Sequence, residues 1–456
     1  MRNEKLQEMY CAHRPLIHFT SKKGWVNDPN GLIFYEGYYH LYFQYYPEGV
    51  QHGPMHWGHA RTKDFLEWEE LPIALYPDEK GTIFSGSMVY DKENTSGLGT
   101  KESPPLVAVF TQHLEEGKKV IQYQSIAYSL DGGMTFTKYD ENPVLDMGLR
   151  DFRDPKVFWY APEKKWVMVT AAGQELRFFC SDNLRQWKES GIFRQEDMKP
   201  DVIWECPDLV KLSDEHGEQR WVLFISQNTQ DYVESGVRYY TGYFDGSNFY
   251  AESGTKETLF VDFGRDNYAA ATYAEVEGRV IQQSWMNCWA YAGILPEAGF
   301  RGSMTLPREL SLKKTAEGYR ILQKPAKEAL EGLRRFGQQV SLSSGNSAIE
   351  FIPGIYHFRL EKNMESIRFQ HAGKWIEIKI DFCYGKIMLD RSHCGGKEYG
   401  PCFQEMNWMY FHDLKDRELY VVLDVTSLEI FAAGGESVGT FQYFTERPLE
   451  NIVIGG

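Results

Sequence analysis

The chain has 456 residues, with 49 Lys and Arg against 64 Asp and Glu, a formal net charge of −15. So acidic a surface repels phosphate backbones and anionic headgroups, so nucleic acid and membranes are excluded as expected partners. Hydrophobic residues make up 42% and aromatics 15%, with 41 Gly and 19 Pro, which excludes a disordered chain and points to many short strands and turns. The seven cysteines (Cys11, Cys180, Cys206, Cys288, Cys383, Cys394, Cys402) are odd in number and scattered. A secreted disulfide framework would be dense and even, so these read as reduced packing residues in a cytoplasmic protein. Met1 to Arg14 holds no apolar run of signal-peptide length.

Taken in order, the chain repeats itself. Asp28-Pro29-Asn30-Gly31-Leu32-Ile33-Phe34-Tyr35 is followed by the turn Glu36-Gly37 and by Tyr38 to Phe43. Asp154-Pro155 and Glu205-Cys206-Pro207-Asp208 open two similar stretches, each an apolar strand, a polar turn and a second apolar strand. Weaker copies begin near Phe84 and Tyr268. A second signature recurs late in each unit, at Asp64 to Trp68, Asp131 to Phe136, Asp182 to Trp187 and Asp245 to Phe249, and reads as the turn between outer strands. Five such units predict an all-β, five-bladed β-propeller over about residues 15–325, within a catalytic domain assigned to 1–329. Each proline is expected at the first residue of its strand, where a missing N–H is tolerated. Beyond Arg308 the pattern changes. Ala326 to Arg335 predicts a short helix, and alternating strands at Tyr356–Leu360, Ile376–Ile380, Leu419–Leu423 and Leu428–Phe431 predict a C-terminal β-sandwich over 330–456. The sandwich is also the expected surface for a homo-oligomer.

The repeat makes a functional prediction of its own. Asp28, Asp154 and Glu205 take equivalent places at the start of a first strand, so they converge if first strands line the axis. Mutual repulsion then raises at least one pKa, separating an acid from a base. Carboxylates in aromatic surroundings suit a neutral sugar, whose acetal needs an acid for the leaving oxygen and a carboxylate for the cationic carbon. Trp25, Trp57 and Trp285 are the expected ring faces for that sugar. No standard metal spacing and no phosphate loop is present, and the chemistry needs no cofactor. Cys206, with no evident base, reads as packing.

At these residues the chain resembles a known family. Trp25-Val26-Asn27-Asp28-Pro29-Asn30-Gly31 is similar to the signature of glycoside hydrolase family 32, the invertases and β-fructosidases. Phe43-Gln44-Tyr45, His56-Trp57-Gly58-His59-Ala60, Phe84-Ser85-Gly86-Ser87, Phe152-Arg153-Asp154-Pro155, Trp204-Glu205-Cys206-Pro207-Asp208 and Leu306-Pro307-Arg308-Glu309-Leu310 follow in the family's order. The resemblance implies a five-bladed propeller plus a β-sandwich and a retaining mechanism. It assigns Asp28 as nucleophile, Glu205 as acid/base and Asp154 as the carboxylate that holds the fructose hydroxyls. It places Asn27, Gln44, Phe84, Ser85, Arg153, Asp262 and Trp285 around the fructosyl unit, with Arg153 keeping Asp154 ionised. Two departures stand out: Tyr46 where relatives carry Asn or His, and His52 where they carry a wall tryptophan. The implied activity is release of terminal β-fructosyl units from sucrose, its phosphate or short fructans. A transfructosylase and a non-catalytic fructan-binding propeller are the alternatives.

Overall fold

A computed structural model describes residues 13–195, 201–229, 232, 234–252, 258–336, 340–342, 353–361, 364–410, 417–445, 449 and 451–455. Cys11 and nearly all of the Met1 to Arg14 segment lie outside this set. The described chain is almost entirely strand. Five antiparallel sheets follow one another, and in four of them the strands pair in simple chain order. Their first strands are Gly24–Tyr35, Thr82–Tyr90, Phe152–Tyr160, Ile203–Ser213 and Tyr268–Thr272. Each first strand adjoins the next, and the fifth adjoins the first, so the five close into a ring. Phe300–Arg301 seals it, leaving the fifth unit to pair in parallel with Gly24 and Trp25 of the first.

Local sequence explains the hairpins. Glu36 and Gly37 both take positive φ (48° and 81°), the two-residue turn whose twist matches the flanking strands. The outer turns are fixed by a side-chain oxygen capping the backbone N–H groups that follow. Asp64 caps Leu66 and Glu67, Asp131 caps Met134 and Thr135, and Asp245 caps Ser247 and Asn248. In the third unit the cap is Asn183, one residue beyond the expected Asp182.

The prolines do not open their strands. Pro29, Pro155 and Pro207 lie inside Gly24–Tyr35, Phe152–Tyr160 and Ile203–Ser213. There the pairing register slips by one residue, and all five first strands carry such a bulge. A bulge frees a residue from the ladder, so a missing N–H costs nothing there, and it turns side chains out of the regular alternation. That is why chemistry-bearing residues gather at one level of the ring.

The helix spans Lys327–Phe336, one residue later than its predicted start. Ala329 and Leu333 bury against the apolar cluster of the first sheet, and Gly332 packs on Leu66. The expected boundary at 329/330 therefore falls inside an element packed on the ring. Beyond it, two five-stranded sheets share one core, with Ile367, Phe369, Ile376 and Ile378 from one and Phe358, Leu419, Val421, Leu428 and Ile430 from the other.

Buried ion pairs weld this part to the ring. His18 holds Asp424 and Glu429, each at 2.8 Å, and Arg308 reaches Glu429 at 2.6 Å and Asp262 at 2.9 Å. Burial alone would lower the His18 pKa, but the two carboxylates outweigh it and raise it to about 9. Asp262 also accepts from the Thr440 N–H and hydroxyl at 2.8 and 2.6 Å. This corrects its expected place in a sugar pocket: its oxygens are taken up by contacts to Arg308, Thr440 and Gly264. Removing one partner from such a set leaves an uncompensated buried charge, the costly case for ion pairs.

Candidate active site

The bulges of the first four sheets bring the three carboxylates together. Asp28 is held on both oxygens. Asn27 Nδ2 donates to Oδ1 at 3.1 Å, and Ser85 Oγ donates to Oδ2 at 2.6 Å. Asn27 is itself fixed by the Trp25 indole N–H at 2.8 Å, so a chain of hydrogen bonds runs from a buried ring to the carboxylate. Asp154 sits at positive φ (62°) on its bulge, and its Oδ2 accepts from the Cys206 N–H at 2.9 Å. The Cys206 sulfur lies 3.5 Å from both Asp28 Oδ2 and Asp154 Oδ2 and so bridges the two acids. Its thiol is pushed well above its usual pKa, by burial first and then by the surrounding carboxylates, and stays protonated as a weak donor. Cys206 is therefore more than the packing residue expected from sequence.

Glu205 is more open than Asp154, its side chain 19% against 7% exposed. Arg153 Nη2 donates to Oε1 at 3.1 Å, and the Tyr268 hydroxyl donates to Oε2. The guanidinium is braced on its other side by Asp151 at 3.0 Å and Gln122 at 3.2 Å. Its Nε comes only within 4.0 Å of Asp154.

That geometry decides the ionisation of Asp154. Burial pushes its pKa up, Arg153 pulls it down, and the charges of Glu205 and Asp28 push it up again, leaving it at about 7. Arg153 was expected to keep this acid ionised. It does not prevail, because its short contacts go to Glu205 and Asp151. The Asp28 pKa is also raised, chiefly by burial and then by the charge of Glu205, against the hydrogen bonds from Ser85, Asn27 and Cys206. Desolvation thus leads repulsion as the cause of both shifts, and a sugar entering such a site meets charge that water does not screen.

The arrangement fits acetal cleavage: two acids side by side across Cys206, and a third held by a cation and a phenol. The matching family model is that of the glycosyl hydrolases family 32 N-terminal domain, over residues 18–325. The chain belongs to glycoside hydrolase family 32. This family 32 chain is 41% identical to the levanase of Bacillus subtilis (strain 168), over 97% of its own length and 68% of that protein. Its structure is similar to that of the exo-inulinase from Aspergillus awamori, with a TM-score of 0.87 and 30% identity, covering 98% of this chain and 95% of that one. It is also similar to the fructofuranosidase from Schwanniomyces occidentalis complexed with fructose, with a TM-score of 0.82 and 30% identity over 98% of each chain. The family 32 chain is accordingly a glycoside hydrolase.

The remaining residues expected at the site of this hydrolase divide into two groups. Asn27, Phe84, Ser85 and Arg153 stand at the carboxylates or beside them. Gln44 lies opposite the Asn27–Asp28 bulge but is buried, its amide donating to Asn30 at 2.8 Å. The three tryptophans expected to offer ring faces do not. Trp25, Trp57 and Trp285 are at most 1% exposed, and the Trp57 indole is spent on the Phe84 carbonyl at 3.0 Å. They support the wall from behind. The more open rings are His52, Phe84 and Trp289. His52 meets Trp25, Trp289 and Phe84 edge-on, and Phe84 stacks flat on His113 at 4.3 Å. Desolvation by its neighbours and the nearby His113 lower the His52 pKa, against the pull of Glu205. Tyr268, Cys206 and Trp289 went unnoticed as site residues in the sequence. Two cavities of about 510 Å³ lie elsewhere, and none of the three carboxylates lines either.

A pH-dependent stability follows from Asp154. Its folded pKa of about 7 exceeds the ordinary value of 3.8, so the folded state binds more protons between those limits. The contribution of Asp154 to stability therefore falls as pH rises from about 4 and levels off above about 7. Asp154→Asn is expected to be more thermostable than the parent at pH 8, by on the order of 4 kcal/mol, with the difference vanishing near pH 4. Paired thermal melts across that range check this. A difference that does not change with pH contradicts it.

Proposed function

We propose that this glycoside hydrolase is an exo-acting, retaining β-fructosidase that releases terminal β-D-fructofuranosyl units from sucrose and short fructans. The ring of five sheets is read here as a five-bladed propeller, and the two-sheet unit behind it as a β-sandwich. The observation that carries the reading is the asymmetry of the acids. Asp28 is fixed on both oxygens and only part-buried, aimed and still reachable, as a nucleophile must be. Glu205 is held by a guanidinium and by a phenol, and the phenol can both donate and accept, as suits an acid/base.

In the first step Asp28 attacks the anomeric carbon while Glu205 gives its proton to the departing oxygen. Asp154, neighbouring Asp28 through Cys206, faces the fructosyl hydroxyls. In the second step Glu205, now a carboxylate, takes a proton from water, and that water opens the fructosyl ester on Asp28. The named relatives support the substrate class: a levanase, an exo-inulinase and a fructofuranosidase. A reducing, cytoplasmic location remains our proposal, supported by the six free cysteines among the described residues.

The test is a hydrolysis panel of sucrose, sucrose 6-phosphate, kestose and inulin, with products followed over time. Free fructose released one unit at a time is the expected result. Trisaccharide as the main product from concentrated sucrose would make the enzyme a transferase. Binding without any product would make it a sugar-binding protein.

A further inference from the structure

The sheet register relates three residues that the sequence places far apart. In the third, fourth and fifth sheets, the last paired residue before the bulge is Arg153 (opposite Ala171), Glu205 (opposite Ser226) and Tyr268 (opposite Trp285). The residue after each one, Asp154, Cys206 and Ala269, has positive φ of 62°, 46° and 54°. Successive sheets thus present the same register position, and the three side chains join in a row, Arg153 to Glu205 Oε1 and Tyr268 to Glu205 Oε2.

We infer that Tyr268 is a positioning residue for Glu205, a hydroxyl that donates to Oε2 of the carboxylate in the base step and to the carbonyl oxygen of the carboxylic acid in the acid step, leaving the acid's own proton for the departing oxygen. The inference rests on the acid/base assignment of Glu205 above. The two partners of Glu205 differ in kind. A guanidinium only donates and carries a fixed charge, so Arg153 favours the ionised form. A phenol both donates and accepts, and this one is 3% exposed, its ring packed with Trp25, Met55 and Trp285 and its hydroxyl on Glu205 Oε2. Burial, then the charge of Glu205, hold its own pKa well above the usual phenol range, so it keeps its proton throughout the cycle. Without the hydroxyl, Arg153 remains the charge partner of Glu205, but Oε2 loses its donor. The base step then suffers most, because that step needs the carboxylate.

Tyr268→Phe keeps the ring and removes the hydroxyl. The expected result is a shift of the alkaline limb of kcat/KM for sucrose to higher pH by about half to one unit, since a lost donor favours the protonated acid. A second expected result is a pre-steady-state burst with a fructoside bearing a good leaving group, as release from Asp28 becomes slow. The same substitution in a Glu205→Gln background is expected to change kcat less than twofold, because its effect runs through Glu205. Superimposable pH profiles with no burst overturn the inference, and so does a loss of equal size in both backgrounds, which marks a packing role. If Tyr268→Phe fails to fold, Tyr268→His, which keeps a ring and a donor, is assayed in its place: burst-free turnover supports the inference, and an inactive folded variant counts against it. Full sucrose turnover by Glu205→Ala would instead defeat the underlying assignment and leave the hydrogen bond without a catalytic meaning.

Discussion

Glu205→Ala is expected to stay folded and to lose about 10²- to 10⁴-fold in kcat for sucrose. The side chain is 19% exposed, and truncating it removes two hydrogen bonds without opening a large cavity. The loss falls on proton transfer, so it depends on the leaving group. From sucrose the leaving group is glucose, which departs through an alkoxide-like oxygen and needs the acid. A fructoside with an acidic phenol as leaving group departs nearly unaided, so its first step is expected to be close to normal in the variant. Its second step still needs a base and is expected to be slow. Steady-state and single-turnover rates with both substrates separate the two. An equal loss on both first steps would mean that Glu205 binds the fructosyl unit and does not protonate anything.

Asp28→Asn is the larger effect. The amide has nearly the shape of the carboxylate and can keep hydrogen bonds at Asn27 and Ser85, so the site is expected to hold its form. It cannot form a stable ester with the fructosyl carbon. Turnover is expected to fall on the order of 10⁴- to 10⁶-fold, the scale seen when a nucleophile is removed from an enzyme. Here the better leaving group gives no relief, since bond formation at carbon is what has been lost. The contrast with Glu205→Ala is the informative part: one loss depends on the leaving group and the other does not. Binding of fructose measured by calorimetry would show that the Asp28→Asn site remains formed.

Much of this was legible because repetition is a chain-level signal that needs no contact information. Polar turns between apolar strands, returning five times, mark five sheets, and Asp-Pro at recurring places marks the level where acids gather. What stayed hidden was the register. Asp28, Asp154 and Glu205 look equivalent by eye, yet the bulges align Asp154 with Cys206 and Glu205 with Arg153 and Tyr268. A bulge adds one residue and leaves no mark in composition, so an alignment by eye slips by one. The partner of Glu205 was therefore in view, as the first residue of the fifth copy, without its meaning.

The tryptophans failed for a different reason. A strand residue facing the blade interior and one facing a pocket have the same periodicity, so Trp25, Trp57 and Trp285 read alike in either place. Only packing tells them apart, and all three are buried. Asp262 shows the same limit for charge. Its partner Arg308 and its acceptor contacts on Thr440 come from distant stretches of chain, and no local pattern distinguishes a carboxylate that clamps two parts of a molecule from one that binds sugar. The protonation of Asp154 was missed because adjacency in sequence is not adjacency of charge: Arg153 is its neighbour along the chain but directs its fork at Glu205 and Asp151.

The division of roles between Asp28 and Glu205 is tested most directly by mass spectrometry of the Glu205→Ala protein quenched during turnover of a fructoside with a good leaving group. Release from the enzyme is then slow, so the covalent intermediate accumulates. The expected result is a mass increase of one fructosyl unit, located by fragmentation on Asp28 of the peptide around Trp25-Val26-Asn27-Asp28. Unmodified Asp28 under conditions where a burst of leaving group is seen, or a fructosyl unit carried on Asp154, would contradict it.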